Sequence, residues 1–392
     1  MNKVYNTQEE IATNLKNFLL DLKNFLLDCF KNIRKTQFKI IPYIVIGMIL
    51  AESVVASDIA KNLKGDFSLV QHDSVIRRIK RFFINKLFKP YDFYDKIIRF
   101  VISKYKVKHS DKRIHIIFDH MFSHDNYTVF MISLRVGKQG IPLWFRCFKG
   151  KDDPKAFDEE TLKKGITYVS SLFPEDYDLV FLADRWFNST SLLEHIASLG
   201  RTYTIRLKGN IRCYVYDKKE KHFIWKTTGD LFAHANSSTF YRDILITNNK
   251  FKTNIVLSKK NGVKEPWIIA TNGDLKKAIK DYGYRFGGIE CIFKSQKSNG
   301  LYMESTVKAD IKYFTSMYTI ACFTTLFLTL FGSDFTKNSR CYRNVKITTH
   351  KTSNGIRKRV MSLFNVGLTL FNCAFNASRY IRIPFSFTLY DT

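Results

Sequence analysis

The first hundred residues set apolar positions at helical spacing. Leu15 to Asp28 reads LKNFLLDLKNFLLD, a seven-residue unit written twice. It places Leu15, Phe18, Leu19, Leu22, Phe25 and Leu26 on one face, which predicts an amphipathic helix packed by that face. Two heptads are too few to specify a coiled coil. Farther on, Ser57 and Asp58 can cap a short helix, IAKNL, that Gly65 would end. Asp73 and Ser74 can cap VIRRIKRFF, which carries Arg77, Arg78, Lys80 and Arg81. Short helix, turn, basic helix is the shape of a helix-turn-helix reader, and equally of a solvated basic face on a helical bundle.

From about residue 112 the apolar period shortens to that of strands. RIHIIFD (Arg113 to Asp119) ends in an aspartate, and YTVFMISL (Tyr127 to Leu134) and IPLWFRCF (Ile141 to Phe148) follow, with Gly137 and Gly140 as turn residues. A meander of three adjacent strands is expected, then a helix from about Phe157 to Leu172. LVFLAD (Leu179 to Asp184) is another apolar strand ending in Asp. The helix SLLEHIASL has Asn188 or Ser191 as cap and Gly200 as stop, and YTIRLKGN (Tyr203 to Asn210) returns to strand. Residues 211–265 read as strands and turns, WIIATN (Trp267 to Asn272) as a strand, and the chain beyond Ile289 as mostly helical.

Hydrophobic residues make up 45% of the 392, enough for a sizeable core, and basic residues outnumber acidic ones by 63 to 35, a net charge of +28. An excess that large calls for a polyanionic partner, nucleic acid or an anionic membrane surface; A·T-rich coding bias toward Lys, Phe, Ile and Asn accounts for part of it. Tyr313 to Gly332 is long enough to cross a bilayer, but it holds six Ser or Thr and two Tyr, which favours a buried core helix over a membrane span. The seven cysteines stand singly, with no Cys-x-x-Cys pair; a zinc site is not indicated and a reducing cytosol is. The N-terminal stretch has acidic residues and no apolar core of a signal peptide, so a cytoplasmic location is expected.

Three carboxylates are placed for chemistry. Asp119 and Asp184 close strands, and Glu290 opens a helix. Strand-end carboxylates from adjacent strands can share a crevice, and a helix-borne glutamate can complete the set. Hard oxygen donors suit Mg²⁺ or Mn²⁺, two of which can drive in-line phosphoryl transfer. Basic residues gather nearby. Arg185 follows Asp184, Arg206 and Lys208 alternate on one strand face, and Lys294 and Lys297 lie at i+4 and i+7 from Glu290, on its side of the helix. A surface Glu-Lys pair is the plainer reading of the last group. Asp125 is a lesser rival to Asp119. Asp152 and Asp153 read as a turn, and His120 and His124 as polar loop residues. Trp267 reads as core, with stacking on an unpaired base as its functional alternative.

Two blocks carry a resemblance. DLVFLADRWFNSTSLLEHIASLGRTYTIRLKGN (Asp178 to Asn210) and YGYRFGGIECIFKSQKS (Tyr282 to Ser298) resemble the second-aspartate block and the Tyr-x-x-Arg…Glu-x6-Lys signature of the insertion-sequence-4 family of DDE transposases. The resemblance spans roughly residues 110 to 330. It implies that Asp119, Asp184 and Glu290 are the catalytic metal ligands for two Mg²⁺ or Mn²⁺ ions. It also implies that Tyr282, Arg285 and Lys297, with Lys294 a further candidate, contact double-stranded transposon-end DNA. In the family three residues separate Arg from Glu; here Phe286, Gly287, Gly288 and Ile289 make four. In a regular helix Arg285 would then point away from Glu290, unless the Gly-Gly pair forms a turn that restores its direction.

The fold class expected is α/β. Residues 1–105 would be a helical N-terminal DNA-binding domain, and 106–210 the first part of a ribonuclease-H-like catalytic core. An inserted β-rich subdomain would follow at 211–265, the rest of the core at 266–335, and a basic C-terminal segment at 336–392. The function expected is cleavage of transposon ends and transfer of the freed 3′-hydroxyl to target DNA, by a homodimer holding two ends. The alternatives are a decayed, DNA-binding descendant of a transposase and another ribonuclease-H-like metal nuclease.

Overall fold

A computed structural model describes residues 8–31, 34–63, 71–107, 112–123, 126–151, 153–217, 221–231, 238–259, 265–298, 300–305, 310–337, 349–351, 357–359, 361–376 and 389. His124, Asp125, Asp152, Gly65 and much of the basic C-terminal segment 336–392 lie outside them. The fold is mixed α/β, built on one ten-stranded mixed sheet.

Five helices come first: α1 (Gln8–Cys29), α2 (Lys35–Ala51), α3 (Ala56–Asn62), α4 (His72–Phe83) and α5 (Pro90–Ser103). On α1 the heptad face is buried as its spacing predicts, from Phe18 and Leu19 through Leu22, Phe25 and Leu26. The predicted caps are displaced. Val55 and Gln71 precede α3 and α4, neither with a side-chain cap bond, so Ser57, Asp58, Asp73 and Ser74 all lie within first turns. Helix α4 buries Val75, Ile79, Phe82 and Phe83 and exposes Arg77, Arg78, Lys80 and Arg81.

The predicted meander is present as β1 (Arg113–Ser123), β2 (Tyr127–Val136) and β3 (Gln139–Lys149). Gly137, at φ 58, makes the β2–β3 turn. Gly140 belongs to β3, where a Cβ would lie 2.5 Å from Ile292 Cδ1. Next come α6 (Glu159–Ser170), β4 (Asp178–Ala183), α7 (Thr190–Ser198) and β5 (Thr202–Arg206). Ser189 is the N-cap of α7, in place of Asn188 or Ser191. Strands β1, β4 and β5 run parallel.

Residues 211–265 supply β6 (Arg212–Asp217), β7 (His222–Thr227), β8 (Ser238–Ile246) and β9 (Phe251–Ser258). With β10 (Trp267–Thr271) they extend the same sheet, in the order β3-β2-β1-β4-β5-β10-β9-β8-β6-β7. The strands of 211–265 therefore continue the same sheet edgewise. Helix α8 (Leu275–Gly283), a 3-10 turn (Tyr284–Gly287) and α9 (Ile289–Lys297) follow. They lie on one face of the sheet, where Gly288 meets Ile117 and Gly140 meets Ile292. Helix α6 lies on the other, its Gly165 against Ile132 and Trp144.

The long apolar stretch is helix α10 (Ile311–Lys337). It is long and apolar enough to cross a membrane, yet its apolar stretch is wholly buried inside the fold. Its threonines are tolerated there because Thr315, Thr319, Thr324, Thr325 and Thr329 each donate to the carbonyl four residues back. The described part of the chain beyond it holds a two-stranded ribbon, β11 (Thr349–Lys351) and β12 (Arg357–Arg359), and helix α11 (Leu363–Phe375).

Helices α10 and α11 touch backbone to backbone through two glycines. A Cβ on Gly332 would lie 1.9 Å from the Leu363 carbonyl oxygen, and one on Gly367 1.8 Å from that of Leu328. Gly→Ala ordinarily stabilises an exposed helix position by about 1 kcal/mol. Here Gly332→Ala and Gly367→Ala must each push the helices apart, and a loss of about 2 kcal/mol or more is expected in urea denaturation. An unchanged midpoint would refute the close approach.

Candidate active site

Strand register sets the first two carboxylates side by side. Ile117 of β1 pairs with Leu182 of β4, so two residues on, Asp119 and Asp184 stand at matching positions on neighbouring parallel strands. Asp119 does not close its strand as expected, because β1 runs on to Ser123. Asp184 does follow the last residue of β4, and its side chain accepts from the Trp186 amide at 2.8 Å, capping a 3-10 turn over Arg185–Phe187.

The third carboxylate arrives from above the sheet. Alternate β1 residues Arg113, His115, Ile117 and Asp119 face the α8–α9 segment, and each meets part of it. Asp281 of α8 accepts from Arg113 at 2.6 Å and sits 2.8 Å from His115 Nε2. Burial works against ionisation of Asp281, but the His115 and Arg113 bonds outweigh it and hold its carboxyl below the usual range. The Tyr284 ring lies 4.7 Å from that of His115. At Gly288 a Cβ would lie 2.2 Å from Ile117 Cδ1, so glycine lets the chain pass close to the sheet without displacing the Ile117 side chain. There the backbone leaves the 3-10 turn (φ −103, ψ −87) and starts α9.

This change of path answers the spacing problem. Arg285 points toward Glu290, and all three carboxylates gather on its guanidinium. Nη2 donates to Asp119 Oδ2 at 2.8 Å and lies 3.8 Å from Asp184 Oδ2, while Nη1 is 3.5 Å from Glu290 Oε1. Arg285 is 8% exposed, so its bond to Asp119 is shielded from water and little screened, whereas Glu290, whose side chain is 48% exposed, meets the guanidinium at the solvent edge. Burial pushes the Asp119 carboxyl up to about 6, against the pull of Arg285 and with the push of Asp184.

The other predicted site residues divide. Lys294 is exposed on α9, and Lys297 lies 3.6 Å from Glu304. Arg185 and Arg206 share Glu265, at 3.6 and 3.7 Å, an acid that strand reading had not connected with them. Tyr282 is 1% exposed; it packs edge-on against Trp267 and Phe286 and does not face solvent. Trp267 is half-buried and stacks on Phe286 at 5.6 Å, close to the core role read for it. His120 is not a loop residue. It lies in β1, stacks on Phe187 at 5.1 Å and contacts the Ala156 carbonyl, and burial lowers its pKa.

Sequence reading missed Trp186. Two residues from Asp184, it is 74% exposed, with the Lys208 ammonium 5.2 Å from its ring. An exposed indole beside a carboxylate cluster can stack on a planar ligand group. The signal available was its place directly after the Asp-Arg pair.

A proton titration tests the cluster. The Asp119 carboxyl has an ordinary value of 3.8 and about 6 in the fold, so the folded state holds its proton more tightly than the unfolded chain. That group's contribution is favourable at low pH and is lost as pH rises from 3.8 toward 6. Relative to Asp119→Asn, the stability of the native chain should fall by up to about 3 kcal/mol across that window. A pH-independent difference in urea denaturation would contradict this.

No protein-family model matches the chain, and no curated protein matches it. Among solved structures the chain is similar in part to an Argonaute of Marinitoga piezophila, in complex with 5′-hydroxyl guide RNA and target DNA. The two are 14% identical, the match covers 48% of this chain and 28% of that one, and the TM-score is 0.20. A likeness that slight decides neither fold family nor function.

Proposed function

We propose that the chain is a metal-dependent DNA transposase of the DDE type, with Asp119, Asp184 and Glu290 as its ligand set. The observation that carries this is their convergence, from two strands and a helix far apart in sequence, on one cationic centre. The five-strand half of the sheet, β3-β2-β1-β4-β5, supports a ribonuclease-H-like core. The donor set fits Mg²⁺ or Mn²⁺, since all three groups are hard carboxylate oxygens. Among the described residues no three ligand groups stand close enough around one point to hold a metal as they are, because the Arg285 guanidinium lies between them. Metal and Arg285 therefore compete for the same oxygens. Cations bound there would activate an attacking oxygen and stabilise a leaving one.

The chain's own residues supply the rest. Arg285, once released, carries a planar donor fork suited to a phosphate. Lys294 on α9 and Arg185 beside Asp184 flank the carboxylates with positive charge. The exposed basic face of α4 adds a second stretch to which a DNA backbone can bind. The partners in this reading are double-stranded transposon ends and target DNA, held by a homodimer. Single cysteines throughout the described residues favour a reducing, cytoplasmic location.

The purified chain should cut a labelled fragment bearing its flanking inverted repeats when Mg²⁺ or Mn²⁺ is added. Asp184→Ala and Glu290→Ala should bind the fragment and not cut it. Binding without cutting in either metal by the native chain would favour a decayed DNA-binding descendant. Removal of the competing cation gives a separate check. Arg285→Ala should bind Mn²⁺ about tenfold more tightly in calorimetry, equivalent to ~1.4 kcal/mol. Equal affinity would show that the guanidinium does not compete.

A further inference from the structure

The far end of the sheet carries a surface that the carboxylate site does not use. Strands β6 and β7 form its outer hairpin, with β7 as the terminal strand. Their pairing sets Tyr214 opposite Trp225 and Tyr216 opposite Phe223. Directly paired residues project to the same side. Cys213 and Val215, which alternate with the tyrosines, are buried on the other side, so the aromatic face points away from the core. Tyr216 is 52%, Phe223 54% and Trp225 38% exposed.

The rings are ordered among themselves. Tyr214 stacks on Phe223 at 5.4 Å and 25°, and lies 5.2 Å from Trp225. Tyr216 meets Phe223 edge-on at 5.4 Å. Arg212, two residues before Tyr214 and on the same face, holds its guanidinium 5.1 Å over the Trp225 ring. Four aromatic side chains held together at a sheet margin form a contiguous apolar patch of the sort that marks a binding surface.

We infer that this face is a stacking platform for unpaired nucleic-acid bases, a second nucleic-acid surface on the chain. Two features choose the ligand. A net charge of +28 makes two copies repel and attracts a polyanion. A guanidinium lying on an indole offers both a cation for phosphate and a π-face for a base. Flat aromatic sheet faces take bases that are out of a helical stack, because in a duplex those faces are already covered. The preference is therefore for single strands. The inference goes beyond the catalytic reading and does not need the carboxylates to be functional.

The test uses the full chain with a fluorescent twenty-nucleotide oligo(dT) and a duplex of equal length, read by anisotropy. Trp225→Ala should weaken oligo(dT) binding about tenfold, and Trp225→Phe should keep most of it. Duplex binding should change much less for both. Tyr216→Ser, at the exposed end of the hairpin, gives a second reading if Trp225→Ala fails to fold by circular dichroism. Unchanged oligo(dT) affinity in folded Trp225→Ala or Tyr216→Ser would overturn the platform. So would a change in sedimenting mass without a change in affinity, which would mark the face as a contact between copies. Metal-dependent cutting of inverted repeats is measured on the same proteins. Loss of platform binding with cutting intact, or no cutting with platform binding intact, separates this inference from the catalytic one.

Discussion

The site depends on how closely the α8–α9 segment lies along one face of β1. Four successive contacts fasten it there: Asp281 to Arg113 and His115, Tyr284 to His115, Gly288 to Ile117, and Arg285 to Asp119. The polar contacts at the two ends fix register, and the glycine between them fixes distance. A side chain at Gly288 would meet the tip of the buried Ile117 side chain, so either that side chain or the segment carrying Arg285 and Glu290 would have to shift. The carboxylate geometry thus rests in part on a residue that has no chemistry of its own.

Much of this was legible in the sequence, and for physical reasons. The two strand aspartates were found because apolar runs of strand length stopped at them. Glu290 was singled out because helix geometry sets Lys294 and Lys297 on its side; in the fold Lys294 is exposed and Lys297 lies beside Glu304. The burial of α10 was legible because six Ser or Thr and two Tyr interrupt its apolar run, although its length alone would suit a membrane span. What could not be read was anything set by tertiary contact. Arg285 was expected to face away from Glu290 or to be rescued by a turn, and only the packing of Gly288 on Ile117 decides between them. Asp119 was placed at a strand end, but pairing with β2 carries β1 four residues farther. Glu265 and Trp186 had no periodic signature at all, since their roles come from neighbours across the sheet.

The carboxylate cluster also shows how the chain handles buried like charges. Three acids brought together would repel unless protonated or given a counter-ion. Here one guanidinium serves all three, and the most buried acid, Asp119, still titrates well above its ordinary range. An arginine in that position keeps the cluster formed without a bound ion, so the site need not be assembled by its ligand.

The continuity of the ten-stranded sheet has a mechanical consequence. Strands β4 and β5, which lead to Asp184 and Arg206, are joined through β10, β9 and β8 to the outer hairpin in one sheet, with a register shift between Tyr241 and Ile244 of β8 and a short pairing of β8 with β6 at Cys213 and Tyr214. Strand pairing at every step limits hinging between the two ends. A ligand long enough to touch both must fit a span that the sheet can change only a little. The elastic work of that fit is done on the ligand, and a polymer that bends or unstacks readily at the right place will be favoured over a stiff one of the same charge.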